Sequence, residues 1–90
     1  MREIRRTGQF KRDVKRVQKR GEDMGLLRDV IIRIAAGEAL ESQYRDHPLS
    51  GEYSGARECH MEPDWLLIYE RTEAELILIR TGTHSDLFGL

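Results

Sequence analysis

The chain has 90 residues, of which 39% are hydrophobic and 34% are charged, and its formal net charge is -1. This length favours one domain spanning residues 1–90, and the composition supports a modest core while excluding a disordered chain. The single cysteine excludes an internal disulfide and a multi-cysteine zinc site, and the lack of a long apolar run predicts a cytoplasmic protein with no signal peptide and no membrane partner.

The small net charge hides an asymmetric distribution. Residues 1–20 contain nine Lys and Arg residues against two acidic residues, whereas residues 21–90 contain six basic and fourteen acidic residues. A basic segment on a nearly neutral chain indicates a surface that meets an anionic partner. A solvated helix face would show the same pattern, so the charge count leaves both interpretations open.

The N-terminal segment predicts a short strand and a helix. Residues 2–7 include four charged residues and only Ile4 as an aliphatic one, as in an edge strand that resists unwanted pairing. A helix starts at Thr7 or Gly8, because Phe10, Val14 and Val17 form an apolar stripe with the helical period. Two basic rows lie beside this stripe. They consist of Lys11, Arg12, Lys15, Arg16, Lys19 and Arg20.

A second helix follows and completes a helical hairpin. Gly21 ends the first helix, Asp23 caps the second and Gly37 ends it. The apolar stripe of the second helix consists of Leu27, Val30, Ile31 and Ile34. After it, residues 46–51 have the composition of a structured loop, which we expect to lie against the sheet.

The C-terminal half predicts a meander of three strands. Two runs of strand-forming residues between Arg57 and Tyr69 flank the turn Glu62-Pro63-Asp64, and a third strand runs from Glu75 to Arg80. The strands are nearly continuous in apolar residues, which favours a sheet with both faces covered. The meander would bring four polar residues into one region, with Arg80 at the end of the apolar row of the third strand. These residues are His60, Asp64, Arg80 and His84.

Ordered motifs carry a resemblance to a known family. They are His47-Pro48-Leu49, the segment from Arg57 to Trp65, which contains His-Met-Glu-Pro-Asp-Trp, the Leu-Ile-Tyr ending at Tyr69, and Arg80-Thr-Gly-Thr-His84 with Leu87-Phe88-Gly89. Over essentially its whole length, the chain resembles the YafQ branch of the RelE-type bacterial toxins. The resemblance implies an α+β fold in which two N-terminal helices pack on a small antiparallel sheet, in the order β-α-α-β-β-β.

The resemblance also implies an activity and partners. The chain would be the toxin of a type II toxin-antitoxin system, an endoribonuclease that cleaves translated mRNA on the ribosome and needs no cofactor or metal. Its partners would be the ribosome, mRNA and a cognate antitoxin of the DinJ/RelB type. We expect this antitoxin to be acidic and to fold on contact with the basic toxin, and the pair can form a heterotetramer.

The family's site residues carry over by position. The catalytic residues would be His47, His60, Asp64, Arg80 and His84. Phe88 would stack on an mRNA base or seal the C-terminal edge of the fold, and the two basic rows would hold ribosomal RNA. Cys59 stands where the family commonly has alanine, and we expect no effect of this difference on the chemistry.

These residue types suit RNA cleavage by transesterification. The reaction needs a base for the 2′-hydroxyl proton, an acid for the leaving 5′-oxygen and a cation for the charge on the phosphoryl group. Histidine titrates near neutral pH and serves in either proton-transfer role, whereas arginine stays charged and engages phosphate through paired donors. The spacing does not assign base and acid among the three histidines.

Structural alternatives exist for the same residues. His60 would pair with a nearby glutamate, Glu58 or Glu62, while His47 would brace its loop and Asp64 would only form the turn. The alternative function is a non-catalytic inhibitor on the same scaffold, which binds a protein target such as gyrase.

Two further alternatives concern the histidines. His84 would be an exposed loop residue if it had no catalytic role. The three histidines with Asp64 would suggest a metal site, but they lack close ligand spacing.

Overall fold

The structure is a computed structural model that describes residues 1–89 as five strands, three helices and two 3-10 turns. The strands are β1 (Glu3–Arg6), β2 (His47–Pro48), β3 (Arg57–Glu62), β4 (Trp65–Arg71) and β5 (Glu75–Gly82). The helices are α1 (Gly8–Lys19), α2 (Met24–Ala35) and α3 (His84–Phe88), and the 3-10 turns are Ser42–Tyr44 and Gly51–Tyr53. The predicted order β-α-α-β-β-β is confirmed, with β2 and α3 added to it.

Local signals place the ends of the two long helices as predicted. The side chain of Thr7 caps α1 and that of Asp23 caps α2, each by accepting the backbone N–H of the residue three positions on. Gly21 and Gly37 follow the helix ends with φ angles of 86° and 82°, which glycine adopts without steric cost. None of the helices in residues 1–89 combines the length and the apolar character that crossing a bilayer needs.

The sheet has the order β1-β5-β4-β3-β2. Strands β3, β4 and β5 form the predicted antiparallel meander, and β2 adds to its edge by pairing with β3. The fold class is confirmed, but the sheet is mixed because β1 runs parallel to β5, with Ile4 opposite Leu76. The helices and the meander separate these two strands in the chain, and such a long crossover allows parallel pairing.

The two faces of the sheet carry different side chains. The helix face packs against α1 and α2, and its core includes Phe10, Val17, Leu27, Val30, Ile34, Cys59, Trp65, Leu67, Tyr69, Leu76 and Leu78. The opposite face, called the site face below, carries a smaller core of Ala56, Leu66, Ile68 and Leu87, with Leu49, Tyr53 and Ile79 packed against it. The segment around β2 therefore lies against the sheet, as expected, and α3 covers the same face.

A β-bulge at Ile79 decides which face Arg80 occupies. Arg80 lies opposite Ile68, but the next pair joins Tyr69 to Leu78, so Ile79 is an extra residue in the ladder. The sequence predicted Arg80 in register with Leu76 and Leu78, at the end of their apolar row, and the structure places those two residues on the helix face. The bulge corrects this prediction, because it turns Arg80 to the site face beside Ile68.

Candidate active site

Three neighbouring strands and the segment before them supply polar side chains to the site face. Glu58, Ile68 and Arg80 lie opposite one another on β3, β4 and β5, so the Cα atoms of Glu58 and Arg80 are about 10 Å apart. His47 on β2 lies opposite Glu58 from the other side. His60 is two residues further along β3 and therefore points to the same face.

The turn between β3 and β4 holds the start of α3. Asp64 Oδ1 accepts the backbone N–H of His84 at 2.8 Å and the ring Nδ1–H of the same residue at 2.6 Å. These two bonds, the backbone bond first, hold the pKa of the Asp64 carboxyl below its usual value. Because a carboxylate can only accept, the neutral His84 ring carries its proton on Nδ1 and leaves Nε2 free to take a proton.

Glu58 joins the other two histidines. Its Oε2 lies 3.2 Å from His47 Nε2 and 3.1 Å from His60 Nε2. His47 also donates through Nδ1–H to the Arg45 carbonyl at 2.6 Å, so both of its ring nitrogens face acceptors. His60 Nδ1 is buried and has no hydrogen-bond partner among residues 1–89. The predicted pairing of His60 with a nearby glutamate is thus confirmed for Glu58.

The three histidine rings and Phe88 form a continuous line. The ring centroid of His60 lies 6.2 Å from that of His47 and 5.7 Å from that of His84. Phe88 continues the line at 6.5 Å from His84 and meets Tyr53 edge-on at 5.9 Å. Since 39% of the Phe88 surface is exposed, part of it is open to a ligand while Tyr53 supports another part.

The side chain of Arg80 is bound by the carboxylate of Asp13, a residue of α1. Its Nε donates to Asp13 Oδ2 at 2.7 Å and its Nη2 donates to Asp13 Oδ1 at 3.2 Å. The hydrogen bond to Asp13 is the main cause that raises the pKa of Arg80. Burial opposes this rise, and the Tyr53 hydroxyl adds to it. The guanidinium therefore stays charged, and Tyr53 lies between it and the line of aromatic rings that Phe88 ends.

The basic rows of α1 face away from the core, as predicted. The exposed members are Lys11, Arg12, Lys15, Lys19 and Arg20, whereas Arg16 is half-buried. One shallow depression on this helix is lined by Arg12, Lys15, Arg16, Lys19 and Arg20. This arrangement suits a polyanion, because several cations meet one concave surface.

Two members of these rows also bind acidic residues of the fold. Arg16 Nη2 donates to Asp13 Oδ1 at 2.6 Å. Arg20 donates from both Nη atoms to the two carboxylate oxygens of Asp86 at 2.6 and 3.2 Å. Since Asp86 belongs to α3, the end of α1 is tied to the helix that carries His84.

The site residues do not form a metal cage. Among residues 1–89, no group of three or more His, Cys, Asp and Glu side chains is arranged to hold a metal ion. Glu58 hydrogen-bonds His60 and lies 3.2 Å from His47 Nε2 instead.

The predicted catalytic residues meet on one face, although their roles stay predictions. The sequence interpretation missed Asp13, and it treated Glu58 only as a structural neighbour of His60. Strand alternation was a usable signal for Glu58, because residues two apart on a strand share a face. Asp13 gave no such signal, since it stands among the basic residues of α1 and its partner Arg80 is 67 positions away.

A comparison with known proteins gives the same family over nearly the whole chain. The family model described as a bacterial toxin of type II toxin-antitoxin systems, YafQ, matches residues 2–89. The mRNA interferase toxin YafQ of Escherichia coli K12 is 45% identical over 89 residues, which cover 98% of this chain and 97% of that protein.

Solved structures agree with the sequence comparison. The crystal structure of YafQ from E. coli BL21(DE3) superposes with a TM-score of 0.93 at 43% identity, covering 99% of this chain and all of that chain. The toxin in the crystal structure of the E. coli DinJ-YafQ toxin-antitoxin complex gives a TM-score of 0.90 at 45% identity, with 98% of each chain covered.

Proposed function

The chain belongs to the YafQ family of bacterial type II toxins, and we propose that it arrests translation by cleaving ribosome-bound mRNA with the residues of the site face. It is a toxin and an mRNA interferase, the function by which its full-length relatives in E. coli are named. Those names give no support to the alternative of a gyrase inhibitor. The observation that carries the catalytic proposal is the line of three histidine rings with Arg80 on the same face of the sheet.

His84 is the proton-transfer residue with the clearest orientation. Asp64 fixes its Nδ1–H, so Nε2 is the atom that exchanges a proton with the RNA. His47 and His60 form the second proton-transfer group, which Glu58 holds together. Transesterification needs one group to accept the 2′-hydroxyl proton and another to donate a proton to the 5′-oxygen. The site offers two such groups with different hydrogen-bond partners.

Arg80 supplies the positive charge for the phosphoryl group. Charge builds on the non-bridging oxygens as the 2′-oxygen attacks phosphorus, and a fixed guanidinium stabilises that charge by donating hydrogen bonds. Its bonds to Asp13 use Nε–H and one Nη2–H, and the Tyr53 hydroxyl lies beside the guanidinium, so the remaining N–H groups are left for the phosphate. Phe88, with 39% of its surface exposed, stacks on a neighbouring mRNA base.

The basic rows of α1 bind ribosomal RNA. Lys11, Lys15 and Lys19 are exposed, and such cations release counterions from RNA without reading its sequence. Arg12, Arg16 and Arg20 contribute to the same surface, the last two while also bound to carboxylates of the fold. Because bacterial ribosomes work in the cytoplasm, the activity would be cytoplasmic.

The partner that neutralises the toxin is an antitoxin of the DinJ type, as in the complex of the E. coli relative. An acidic, partly disordered antitoxin that folds on contact suits the basic surface of this chain. Two toxins and two antitoxins would form the heterotetramer.

The test is cleavage of a defined mRNA on purified ribosomes. We expect cleavage only when the mRNA is bound to a ribosome, with 2′,3′-cyclic phosphate or 3′-phosphate ends and 5′-hydroxyl ends. A 2′-deoxynucleotide at the cleavage position should block the reaction, since the attacking group is then missing. Cleavage despite this substitution would contradict the transesterification mechanism, and equal cleavage of free mRNA would contradict the need for the ribosome. Inhibition of DNA supercoiling without RNA cleavage would favour the inhibitor alternative.

A further inference from the structure

Asp13 is a buried charged residue that the proposed reaction does not use. It lies on α1 and 0% of its surface is exposed. Five donors converge on its carboxylate: Arg80 Nε and Nη2, Arg16 Nη2, Gln9 Nε2 and the backbone N–H of Thr81. A buried carboxylate is costly unless its oxygens are fully hydrogen-bonded, so this site is built around the charge of Asp13.

The geometry at Arg80 is specific. The two donors of Arg80 reach different oxygens of Asp13, at 2.7 Å from Nε and 3.2 Å from Nη2. This paired arrangement fixes the plane of the guanidinium as well as its position. The backbone N–H of Thr81, the next residue, donates to the same carboxylate at 3.2 Å. Asp13 therefore holds both the side chain of Arg80 and the strand that carries it.

The carboxylate does not cancel the charge of the site. Arg16 also donates to Asp13, at 2.6 Å, so Asp13, Arg16 and Arg80 together carry one net positive charge. Burial would raise the pKa of Asp13, but the hydrogen bonds led by Arg80 outweigh it and hold this pKa below its usual value. A phosphate that approaches Arg80 therefore meets a net cation.

We propose that Asp13 is the positioning residue of RNA cleavage, whose carboxylate fixes the guanidinium of Arg80 so that its remaining N–H groups face the scissile phosphate. This inference rests on the proposed catalytic role of Arg80. It assigns to the helix that binds ribosomal RNA a second task, which is to set the orientation of the catalytic cation.

A double-mutant cycle tests the inference. The variants are Asp13→Asn, Arg80→Ala and their combination, measured as single-turnover cleavage of ribosome-bound mRNA. Asp13→Asn should slow cleavage about 10–100-fold, since small displacements of a positioned group cost rates of this order. In the Arg80→Ala background, the same change should have no further effect, because nothing is left to orient. Glu75→Gln is the control, as it removes a carboxylate that pairs with Arg5 at 3.1 Å on the exposed side of β5.

The outcomes separate the inference from the function on which it rests. Equal slowing by Asp13→Asn in both backgrounds, or no slowing in either, would overturn the positioning role. Wild-type cleavage by Arg80→Ala would instead remove the catalytic role of Arg80, whatever Asp13 does. Ribosome co-sedimentation should stay unchanged in Asp13→Asn, which distinguishes loss of orientation from loss of binding.

A measurement on the unaltered protein covers the case in which Asp13→Asn does not fold. In a nitrogen-15 NMR spectrum, the Nε–H of Arg80 should exchange with water much more slowly than that of Arg12, which is exposed. Exchange of Arg80 as fast as that of Arg12 would show that Asp13 does not fix it and would overturn the inference.

Discussion

His84 and Asp64 are joined twice, since one carboxylate oxygen accepts both the ring Nδ1–H of His84 at 2.6 Å and its backbone N–H at 2.8 Å. His84 is the first residue of α3, directly after the Thr83 cap. The turn before β4 therefore fixes the ring and the start of the helix at the same time. A change at Asp64 reaches the proposed chemistry without touching the RNA.

The first prediction concerns this pair. His84→Ala should slow cleavage about 10²–10⁴-fold, the usual effect of removing a general acid or base. Asp64→Asn should slow it less, because its amide can still accept from the backbone N–H while the ring loses its charged partner. Single-turnover rates on ribosomes measure both effects. Equal rates for wild type and His84→Ala, with the variant folded and bound to ribosomes, would contradict the catalytic role.

The second prediction compares two replacements of Arg80. Arg80→Ala should slow cleavage about 10²–10³-fold through loss of a charge-stabilising donor. Arg80→Lys keeps the charge but cannot form the paired bonds to Asp13, so it should recover only part of the rate. Expression of each variant without antitoxin gives the matching growth test. Full toxicity of Arg80→Ala at equal protein levels would refute the prediction.

The third prediction concerns Glu58, whose role the sequence did not indicate. Glu58→Gln should slow cleavage, because the amide oxygen can still accept from His47 and His60 but no longer carries the negative charge that holds both rings. We expect the cleavage rate to change with pH differently in this variant than in wild type. A matching change in Glu62→Gln, whose side chain is exposed beside the turn, would show that the effect is not specific to Glu58.

The fourth prediction separates ribosome binding from chemistry. Replacement of Lys11, Lys15 and Lys19 by Gln should weaken ribosome co-sedimentation at moderate salt without lowering the melting temperature. The slope of log affinity against log salt should fall by about 2–3, since each lost phosphate contact contributes about 0.7–0.9. The control is Gln at Arg6, Arg28 and Arg71, which removes the same charge from other exposed positions. Equal weakening by both triple variants would contradict a specific role of α1.

The fifth prediction concerns stability against acid. The hydrogen bonds from Arg20, with those from Thr83, hold the pKa of the Asp86 carboxyl well below its usual value. A lowered folded-state pKa adds stability above the unfolded value of about 3.9, and this stability is lost as the pH falls below it. The melting temperature of Asp86→Asn should therefore fall less between pH 6 and pH 3 than that of wild type. Parallel curves for the two proteins would refute the assignment.

Local patterns were enough to predict the two long helices, the cap at Asp23 and the meander, because each depends on residues close in the chain. The start of the first helix at Thr7 or Gly8 and the turn at Pro63-Asp64 are of the same kind, whereas the short helix α3 was not predicted. The parallel pairing of β1 could not be predicted in this way, since it depends on where the crossover returns. The strand at His47 has two residues and forms only because β3 offers it an edge.

The site was predicted in its residue types but not in its connections. The motifs placed the three histidines, Asp64 and Arg80 together, yet they did not reveal that Asp13 and Glu58 hold them. Arg16 and Arg20 looked like members of a free cationic surface, whereas the fold also uses both in ion pairs. Ion pairs between residues far apart in the chain leave no periodic signal in the sequence.

The bulge at Ile79 has a genetic consequence. Loss of that one codon would let β5 pair residue for residue with β4, with Leu78 still opposite Tyr69 and Arg80 still opposite Ile68 on the site face. Such a deletion would remove the contact that Ile79 makes with the core of the site face, but it would not move Arg80 to the helix face. Two lengths of β5 are therefore compatible with the same placement of the guanidinium.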